Sequence, residues 1–311
     1  MIGIAVCIFL LVLMLVVAEK VFERTNFYKL NYCETDKFHS VGKVDYVNTG
    51  STFASYGFDY KLAGVNGLNL ALCPQPLAAD YKLLKHFEGR YNSGATVFIT
   101  IADLAFAKQC YTERNVTDKY YKILSRSELA LYHPLKALRA KYFPVLYSWK
   151  NFLRFYRDIR LNNDRDICVN ENDLEAIEAD AYKRCKSWMQ EFALKNLQDG
   201  KQGSRFIKEF SYTRETVTKM VMWCREHDLK PVLVNLPVTN EMAKNFSQEF
   251  LDAFYYAHIH KLVQELNVKF IDLQENERLT DYLLYLDSCR LNKAGREIIT
   301  RRLLAEVNKQ V

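Results

Sequence analysis

The feature that most limits how this chain can fold is an apolar run at its start. Residues 2–18 (IGIAVCIFLLVLMLVVA) contain no charged side chain. Their length lies at the short end of the about 17 to 25 apolar residues with which a helix crosses a bilayer. We therefore expect residues 1–20 to form a transmembrane anchor or a signal sequence. A connector over residues 21–43 and a folded domain over residues 44–311 would follow.

The residues on either side of this run favour an uncleaved anchor. A signal peptide normally carries a basic segment ahead of a shorter apolar core, and here only the amino terminus precedes the run, although residues 16–18 (Val-Val-Ala) form a tolerable cleavage site. Lys20, Arg24 and Lys29 follow the run and, by the positive-inside rule alone, would draw the C-terminal side toward the cytoplasm. The membrane topology stays open on these residues.

Charge and cysteine spacing remove several classes of function. The chain has 43 Lys and Arg against 37 Asp and Glu, a formal net charge of +6 that is mild and interspersed, so we expect no nucleic-acid partner. The eight cysteines include no Cys-x-x-Cys pair. The sequence also holds no P-loop, no Gly-x-Gly-x-x-Gly and no metal-ligand cluster, so we expect neither a cofactor nor a metal site.

From residue 44 onward the sequence alternates strand and helix patterns. The predicted strands cover residues 44–48, 64–70, 96–102, 231–236 and 268–273, with a turn at 92–94 before the third. The predicted helices cover residues 80–87, 215–226, 248–266 and 292–308. Strands that alternate with helices form a parallel sheet covered on both faces, so we expect an α/β fold with a three-layer, doubly wound, mostly parallel sheet.

A stretch between the third and fourth strands, at about residues 104–210, is rich in aromatic, leucine and charged residues at helical spacing. It is predicted to be a helical insertion, with its best helices over residues 135–159 and 173–197 and a loop over 162–172. Such an insertion could shape a substrate cleft, dock a partner or only cover the sheet. The sequence leaves these three roles open.

Ligands of open α/β sheets bind beyond the carboxyl ends of the strands, so the residues directly after each strand are the most informative. These segments are residues 48–53, 69–75, 235–237 and 286–292. Gln75 and Asn235 could supply amide donors to an oxyanion or a bound sugar, or could be buried structural amides.

Two motifs in these segments carry a resemblance to a known family. Gly50-Ser51-Thr52 follows the first strand, and residues 287–295 (DSCRLNKAG) open the last helix. In this order they resemble the SGNH/GDSL hydrolase superfamily, and more narrowly its membrane-anchored, DltD-like and capsule-associated branch. Residues 69–75 (NLALCPQ), with 80–84 after them, are similar to the branch's Ser-x-Gln-Ser-Leu block. The resemblance covers most of residues 44–311.

The resemblance implies a flavodoxin-like fold and a soluble domain outside the cytoplasm, anchored by one membrane span. It also implies work on a carbohydrate or other cell-envelope polymer beside a membrane-bound O-acyltransferase. Outside such a family, Gly-Ser-Thr after a strand is commonly a turn with a helix cap, and Asp-Ser-x-x-Leu-Asn is commonly a capping sequence.

Two of the three triad positions that the resemblance implies are altered. Thr52 stands where the family has its serine nucleophile, Arg290 stands where it has its histidine base, and Asp287 alone matches. A histidine with a pKa of about 6.5 can take a proton and return it, whereas a guanidinium only donates. We expect Arg290 to form a local ion pair with Asp287, and the enzyme to be degenerate and inactive. Ser51 becomes the candidate hydroxyl if the register shifts by one.

Three hypotheses about function follow. The first is a membrane-anchored, catalytically degenerate esterase or acyltransferase relative that acts in surface-polysaccharide or envelope-polymer acylation or assembly. The second is an active esterase or O-acyltransferase that uses Thr52 or Ser51 with a base the sequence does not identify, for which a histidine of the insertion stays open. The third is a structural docking subunit of a membrane complex.

Overall fold

Parallel strands pair into a single sheet within the described residues. The strands are β1 (Val44–Thr49), β2 (Gly67–Asn69), β3 (Tyr91–Thr100), β4 (Lys230–Asn235) and β5 (Lys269–Asp272). Their order across the sheet is β2-β1-β3-β4-β5, and every neighbouring pair is parallel. The strand order reverses beside β1, which makes the sheet doubly wound, as predicted.

The computed structural model describes residues 2–25, 28, 37–38, 42–106, 117–129, 132–146, 173–201, 206–274 and 276–309. The chain divides into a smaller unit, residues 1–40 with 113–167, and a larger unit, residues 41–112 with 168–311. The predicted boundaries of the connector and of the insertion stay predictions.

Helices precede, connect and follow the strands along the chain. They are α1 (Ile2–Phe22), α2 (Thr52–Ser55), α3 (Tyr60–Ala63), α4 (Leu77–His86), α5 (Thr117–Tyr120), α6 (Pro134–Tyr142), α7 (Leu174–Glu191), α8 (Phe206–Glu226), α9 (Asn240–Ala243), α10 (Gln248–Leu251), α11 (Ala257–Leu266) and α12 (Lys293–Asn308). A π turn, Asp252–Tyr256, joins α10 to α11, and 3-10 turns cover Glu88–Arg90, Pro144–Leu146 and Tyr282–Leu284.

The two faces of the sheet carry different helices, which confirms the three-layer prediction. Phe98 of β3 shares a buried cluster with Ile299 and Leu303 of α12. Successive strand residues point to opposite faces, so Val97 and Ile99 face the other side, and both are buried. On that side α8 contacts β4, α4 and α11.

The turn predicted at residues 92–94 is wrong, because β3 runs through it. Gly94 has a φ of +73°, and the pairing of β3 with β1 shifts register between Val44 and Tyr46. The left-handed glycine that indicated a turn instead serves a bulge inside the strand. The strand predicted over 64–70 is also shorter, since Gly64 has a φ of +75° and caps α3.

The helix predicted over residues 135–159 does not continue past Tyr142. Pro144 follows closely, and a proline lacks the backbone N–H and disfavours helical geometry in the residue before it. The rest of that prediction, and the loop at 162–172, lie outside the described residues. The helix predicted over 173–197 is present as α7, capped by Asp173 and ending at Glu191.

In the smaller unit, α1 is long and apolar enough to cross a membrane. The segment Gly3–Phe22 is a candidate membrane span by length and composition, and only 6% of its most apolar 18-residue stretch is buried. A signal sequence satisfies the same criteria. The last turns of α1 pack against the turn after α6, where Val145 contacts Phe22 and donates its backbone N–H to Glu19 Oε2 at 3.0 Å.

Candidate functional site

A cavity of about 360 Å³ lies beyond the carboxyl ends of β1, β3 and β4 in the larger unit. Its position is the one that the strand order of a doubly wound sheet favours for ligands. The polar side chains that line it include those of Ser51, Thr52, Gln75, Asp103, Arg184 and Asn235.

The loop after β1 reaches the cavity in a conformation that only glycine adopts readily. Gly50 has a φ of +132°, and a Cβ there would lie 2.6 Å from the Cβ of Ala54 and 3.0 Å from that of Thr100. The Gly50 N–H donates to Asp80 Oδ1 at 2.7 Å. The backbone at Gly50, directly before Ser51 and Thr52, is therefore fixed by close packing against Ala54 and Thr100 and by the hydrogen bond to Asp80.

Gln75 fastens this loop from the neighbouring segment. Its Nε2 donates to the Gly50 carbonyl at 3.1 Å and to Asp80 Oδ1 at 2.5 Å, and its backbone N–H donates to Ser51 Oγ at 2.9 Å. Gln75 and Asp80 are buried. An amide nitrogen has two hydrogens, and both of those on Gln75 Nε2 have acceptors within the protein. This arrangement favours the structural interpretation of Gln75 over that of an oxyanion donor.

Asp287, the acid at the predicted triad position, is surrounded by hydrogen-bond donors. Asp287 Oδ2 accepts from Arg290 Nε and from an Arg184 terminal nitrogen, each at 2.5 Å. Asp287 Oδ1 accepts the backbone N–H groups of Cys289, at 3.0 Å, and of Arg290, at 2.7 Å. The Asp287 side chain is 0% exposed. The expected Asp287–Arg290 ion pair is present, and a second arginine joins it.

These arginines are themselves held in place. The Arg290 guanidinium lies over the Tyr56 ring, 5.2 Å from its centroid. Burial acts to lower the pKa of Arg290, but the charge and hydrogen bond of Asp287 outweigh burial and raise it, so Arg290 stays protonated. Arg184 Nε donates to Asp180 at 2.6 Å, and Asp180 also accepts from the Ser288 hydroxyl at 2.5 Å.

A second cluster of polar side chains lies at the ends of β3, β4 and β5, and its members Asp103 and Asn235 line the cavity. Asn235 Nδ2 donates to Asp103 Oδ1 at 2.9 Å and to Asp272 Oδ1 at 3.2 Å. Tyr256 donates its hydroxyl to Asp272 Oδ2 at 3.1 Å. Burial, the largest influence, raises the pKa of Asp103 to about 6, with the charge of Asp272 adding to it and the hydrogen bond of Asn235 opposing it.

The structure brings some of the predicted site residues together and separates others. Gly50, Ser51, Thr52, Gln75 and Asn235 all line the same cavity. Asp287 and Arg290 are not among its lining residues; Asp287 is linked to the cavity through Arg184, which does line it. No histidine lines the cavity in the part of the chain that the structure describes.

Sequence reasoning missed Asp103, Asp272, Asp180 and Arg184. A signal was available for the first two, since Asp103 directly follows the apolar strand predicted over 96–102 and Asp272 lies near the end of the strand predicted over 268–273. No such signal marks Asp180 and Arg184, which occupy ordinary positions on α7 and meet Asp287 only in the folded chain.

Burial also determines the protonation state of the Cys289 thiol, which lines the cavity. Burial first, and then the charge of Asp287, raise the pKa of this thiol, so it stays protonated. Cys289 is therefore not a thiolate nucleophile at neutral pH.

No protein-family model matches the chain, and no curated protein matches it either. Two solved structures are similar in shape. One is a candidate acylhydrolase from Bacteroides fragilis, 10% identical, with a TM-score of 0.41 over 92% of this chain and 99% of that one. The other is the protein YxiM from Bacillus subtilis, 14% identical, with a TM-score of 0.37 over 87% of this chain and 57% of that one. The α/β assignment rests on the chain's own sheet.

Proposed function

We propose that the larger unit is a catalytically degenerate relative of the SGNH esterases and acyltransferases. It binds a carbohydrate polymer in its cavity without cleaving it, and so acts in the acylation or assembly of a surface polysaccharide or another envelope polymer. The observation that carries this proposal is the state of Asp287, whose two carboxylate oxygens accept from two guanidinium groups and two backbone N–H groups.

A triad acid works by orienting a histidine and stabilising the imidazolium that forms. Asp287 already has donors on both oxygens, and the residue at the position of the base is Arg290, which cannot take a proton near neutral pH. A hydroxyl nucleophile such as Thr52 depends on a base to remove its proton. These contacts support a static ion cluster in place of a proton relay.

The lining of the cavity suits a sugar. Trp188 and Phe53 line it with ring centroids 6.2 Å apart, and such rings offer apolar faces to the C–H groups of a pyranose. Hydroxyl, guanidinium and carboxylate groups of Ser51, Arg184 and Asp103 stand around them. Concave sites with aromatic walls and a few placed polar groups are typical of small-ligand binding.

The test measures turnover and binding on the same full chain in detergent micelles. The unmodified chain should hydrolyse p-nitrophenyl acetate no faster than Thr52→Ala, and should bind members of a panel of immobilised oligosaccharides. Trp188→Ala should lose this binding, whereas Tyr182→Ala, at an exposed position of the same helix, should keep it. Hydrolysis that Thr52→Ala abolishes would contradict the proposal.

One observation favours the active-enzyme alternative. Asp103 lines the same cavity as Thr52 and Ser51, and its pKa of about 6 suits a general base at neutral pH. If Asp103 serves as the base, hydrolysis rises with pH through about 6 and is lost in Asp103→Asn. A docking subunit would instead bind no oligosaccharide and tolerate both Thr52→Ala and Trp188→Ala.

We also propose that α1 anchors the chain with the larger unit outside the cytoplasm, beside a membrane-bound O-acyltransferase. The length and composition of Gly3–Phe22 support the anchor, and the family resemblance supports the side and the partner. A reporter fused after Val311 tests the topology. Activity of a reporter that works only in the cytoplasm would refute the extracytoplasmic placement.

A further inference from the structure

Helix α6 of the smaller unit presents an apolar face to solvent. Leu135, Leu138 and Tyr142 are 71%, 54% and 56% exposed. At about 100° per residue these three positions fall on one side of the helix. Ala137 and Ala140, on the opposite side, are buried. The larger apolar side chains of α6 therefore point away from the protein, and the small ones point into it.

Basic residues flank this face. Lys136, Arg139 and Lys141 are exposed, and the helical spacing puts Lys136 and Arg139 on one flank and Lys141 on the other. The helix has no acidic residue. An apolar stripe between basic flanks is typical of helices that lie in the plane of a membrane interface.

The attachment of α6 fixes its place relative to α1. The turn Pro144–Leu146 follows α6 after Phe143, and its Val145 forms a buried cluster with Phe22 of α1, against which the partly buried Leu15 packs. The Val145 N–H donates to Glu19 Oε2 at 3.0 Å. The apolar run ends at Ala18, and Glu19 is the first charged residue after it. Because charged side chains are costly in the hydrocarbon core, α1 leaves that core near Glu19, where the turn after α6 contacts it.

We propose that α6 lies on the membrane surface beside the exit of α1, with Leu135, Leu138 and Tyr142 at the boundary between headgroups and acyl chains. Lys136, Arg139 and Lys141 then face the phosphate groups of anionic lipids. This inference rests on the proposed anchoring of the chain by α1. It fixes the smaller unit against the bilayer at a second point besides the span itself.

Photo-crosslinking of the full chain in vesicles tests the inference. A benzophenone amino acid replaces Leu138 in one variant, Leu10 of α1 in a second and the exposed Tyr182 of α7 in a third, which measures random collision with lipid. The vesicles contain phosphatidylcholine with phosphatidylglycerol, and lipid adducts are quantified by mass spectrometry. We expect adducts at Leu10 and at Leu138, each several-fold above the yield at Tyr182.

Each other outcome is decisive. One outcome is that Leu10 forms lipid adducts while Leu138 forms them only at the collision level, or forms only protein crosslinks. That outcome would overturn the interfacial helix and leave the anchor standing. Collision-level adducts at Leu10 would overturn the anchor and this inference together.

A charge-removal arm tests the basic flanks. The triple substitution Lys136→Gln/Arg139→Gln/Lys141→Gln, made in the Leu138 variant, should lower the lipid adduct several-fold in vesicles with phosphatidylglycerol. It should leave the adduct unchanged in phosphatidylcholine alone. An unchanged yield in both vesicles would overturn the part assigned to the three cations.

Discussion

The ion cluster around Asp287 makes a quantitative prediction about stability. Arg184 and Arg290 both donate to Oδ2, so removing one arginine leaves the buried carboxylate oxygen with the other. Each single substitution to Met, which keeps most of the side-chain volume, should cost about 1.5 to 3 kcal/mol, the usual range for a hydrogen bond to a charged group.

The double variant Arg184→Met/Arg290→Met should cost more than the sum of the single costs. It leaves Asp287 as a buried carboxylate whose side-chain donors are gone, with only backbone N–H groups on Oδ1. Removing the last charged partner of a buried carboxylate costs about 3 to 5 kcal/mol. We therefore expect a coupling energy of about 1 kcal/mol or more between the two substitutions.

The assay is urea unfolding of the full chain in micelles, followed by tryptophan fluorescence, for the four members of the cycle. Arg302→Met is the matched control because Arg302 pairs with Glu306 at an exposed position, and its cost should stay within about 0.5 kcal/mol. Additive costs, or an Arg184→Met variant as stable as the unmodified chain, would refute the argument that two cations share one buried oxygen.

Three further predictions concern the cavity. First, the double variant Thr52→Ser/Arg290→His should stay inactive toward p-nitrophenyl acetate because Arg184 still donates to Asp287 Oδ2. Adding Arg184→Met to it should restore measurable hydrolysis. Activity of the double variant would contradict this prediction. Second, the raised pKa of Asp103 means that the folded state binds more protons than the unfolded state between pH about 4 and 6, so stability should fall by up to about 3 kcal/mol as pH rises through that window. Melting curves should lose this dependence in Asp103→Asn, and an unchanged dependence there would assign it elsewhere. Third, Gly50→Ala should cost more than about 2 kcal/mol by strain and contact, against about 1 kcal/mol for Gly64→Ala, where a Cβ meets open space; equal urea midpoints would refute the close approach.

The strand pattern could be predicted from the sequence because buried parallel strands are short apolar runs bounded by turn residues. All of the predicted strands are present, with ends that differ by a few residues from the structure. One error occurred where a single chemical signal fits two structures, because Gly94 supplies a positive φ to a bulge as readily as to a turn. The other occurred because hydrophobic periodicity takes no account of Pro144, which ends the helix.

Part of the candidate site could be predicted from the sequence, and the rest could not because its contacts join residues far apart in the chain. Gly50, Ser51 and Thr52 follow a strand, and the Asp287–Arg290 pair is local, so both could be inferred from spacing. The Arg184–Asp287 contact joins residues 103 positions apart, and the Asn235–Asp103 contact joins residues 132 apart. Neither contact leaves a pattern in a single sequence, because only tertiary packing brings the partners together.

Helix α7 connects the ion cluster around Asp287 to the wall of the cavity. Asp180, Arg184 and Trp188 are spaced four residues apart and therefore lie along one side of the helix. The first two hold Ser288 and Asp287, and Arg184 and Trp188 line the cavity. Under the proposed function, a substitution that frees Asp287 for a proton relay would therefore also disturb the wall that would bind a sugar. Catalysis and binding would then compete for the same side of this helix, and the residues present would favour binding.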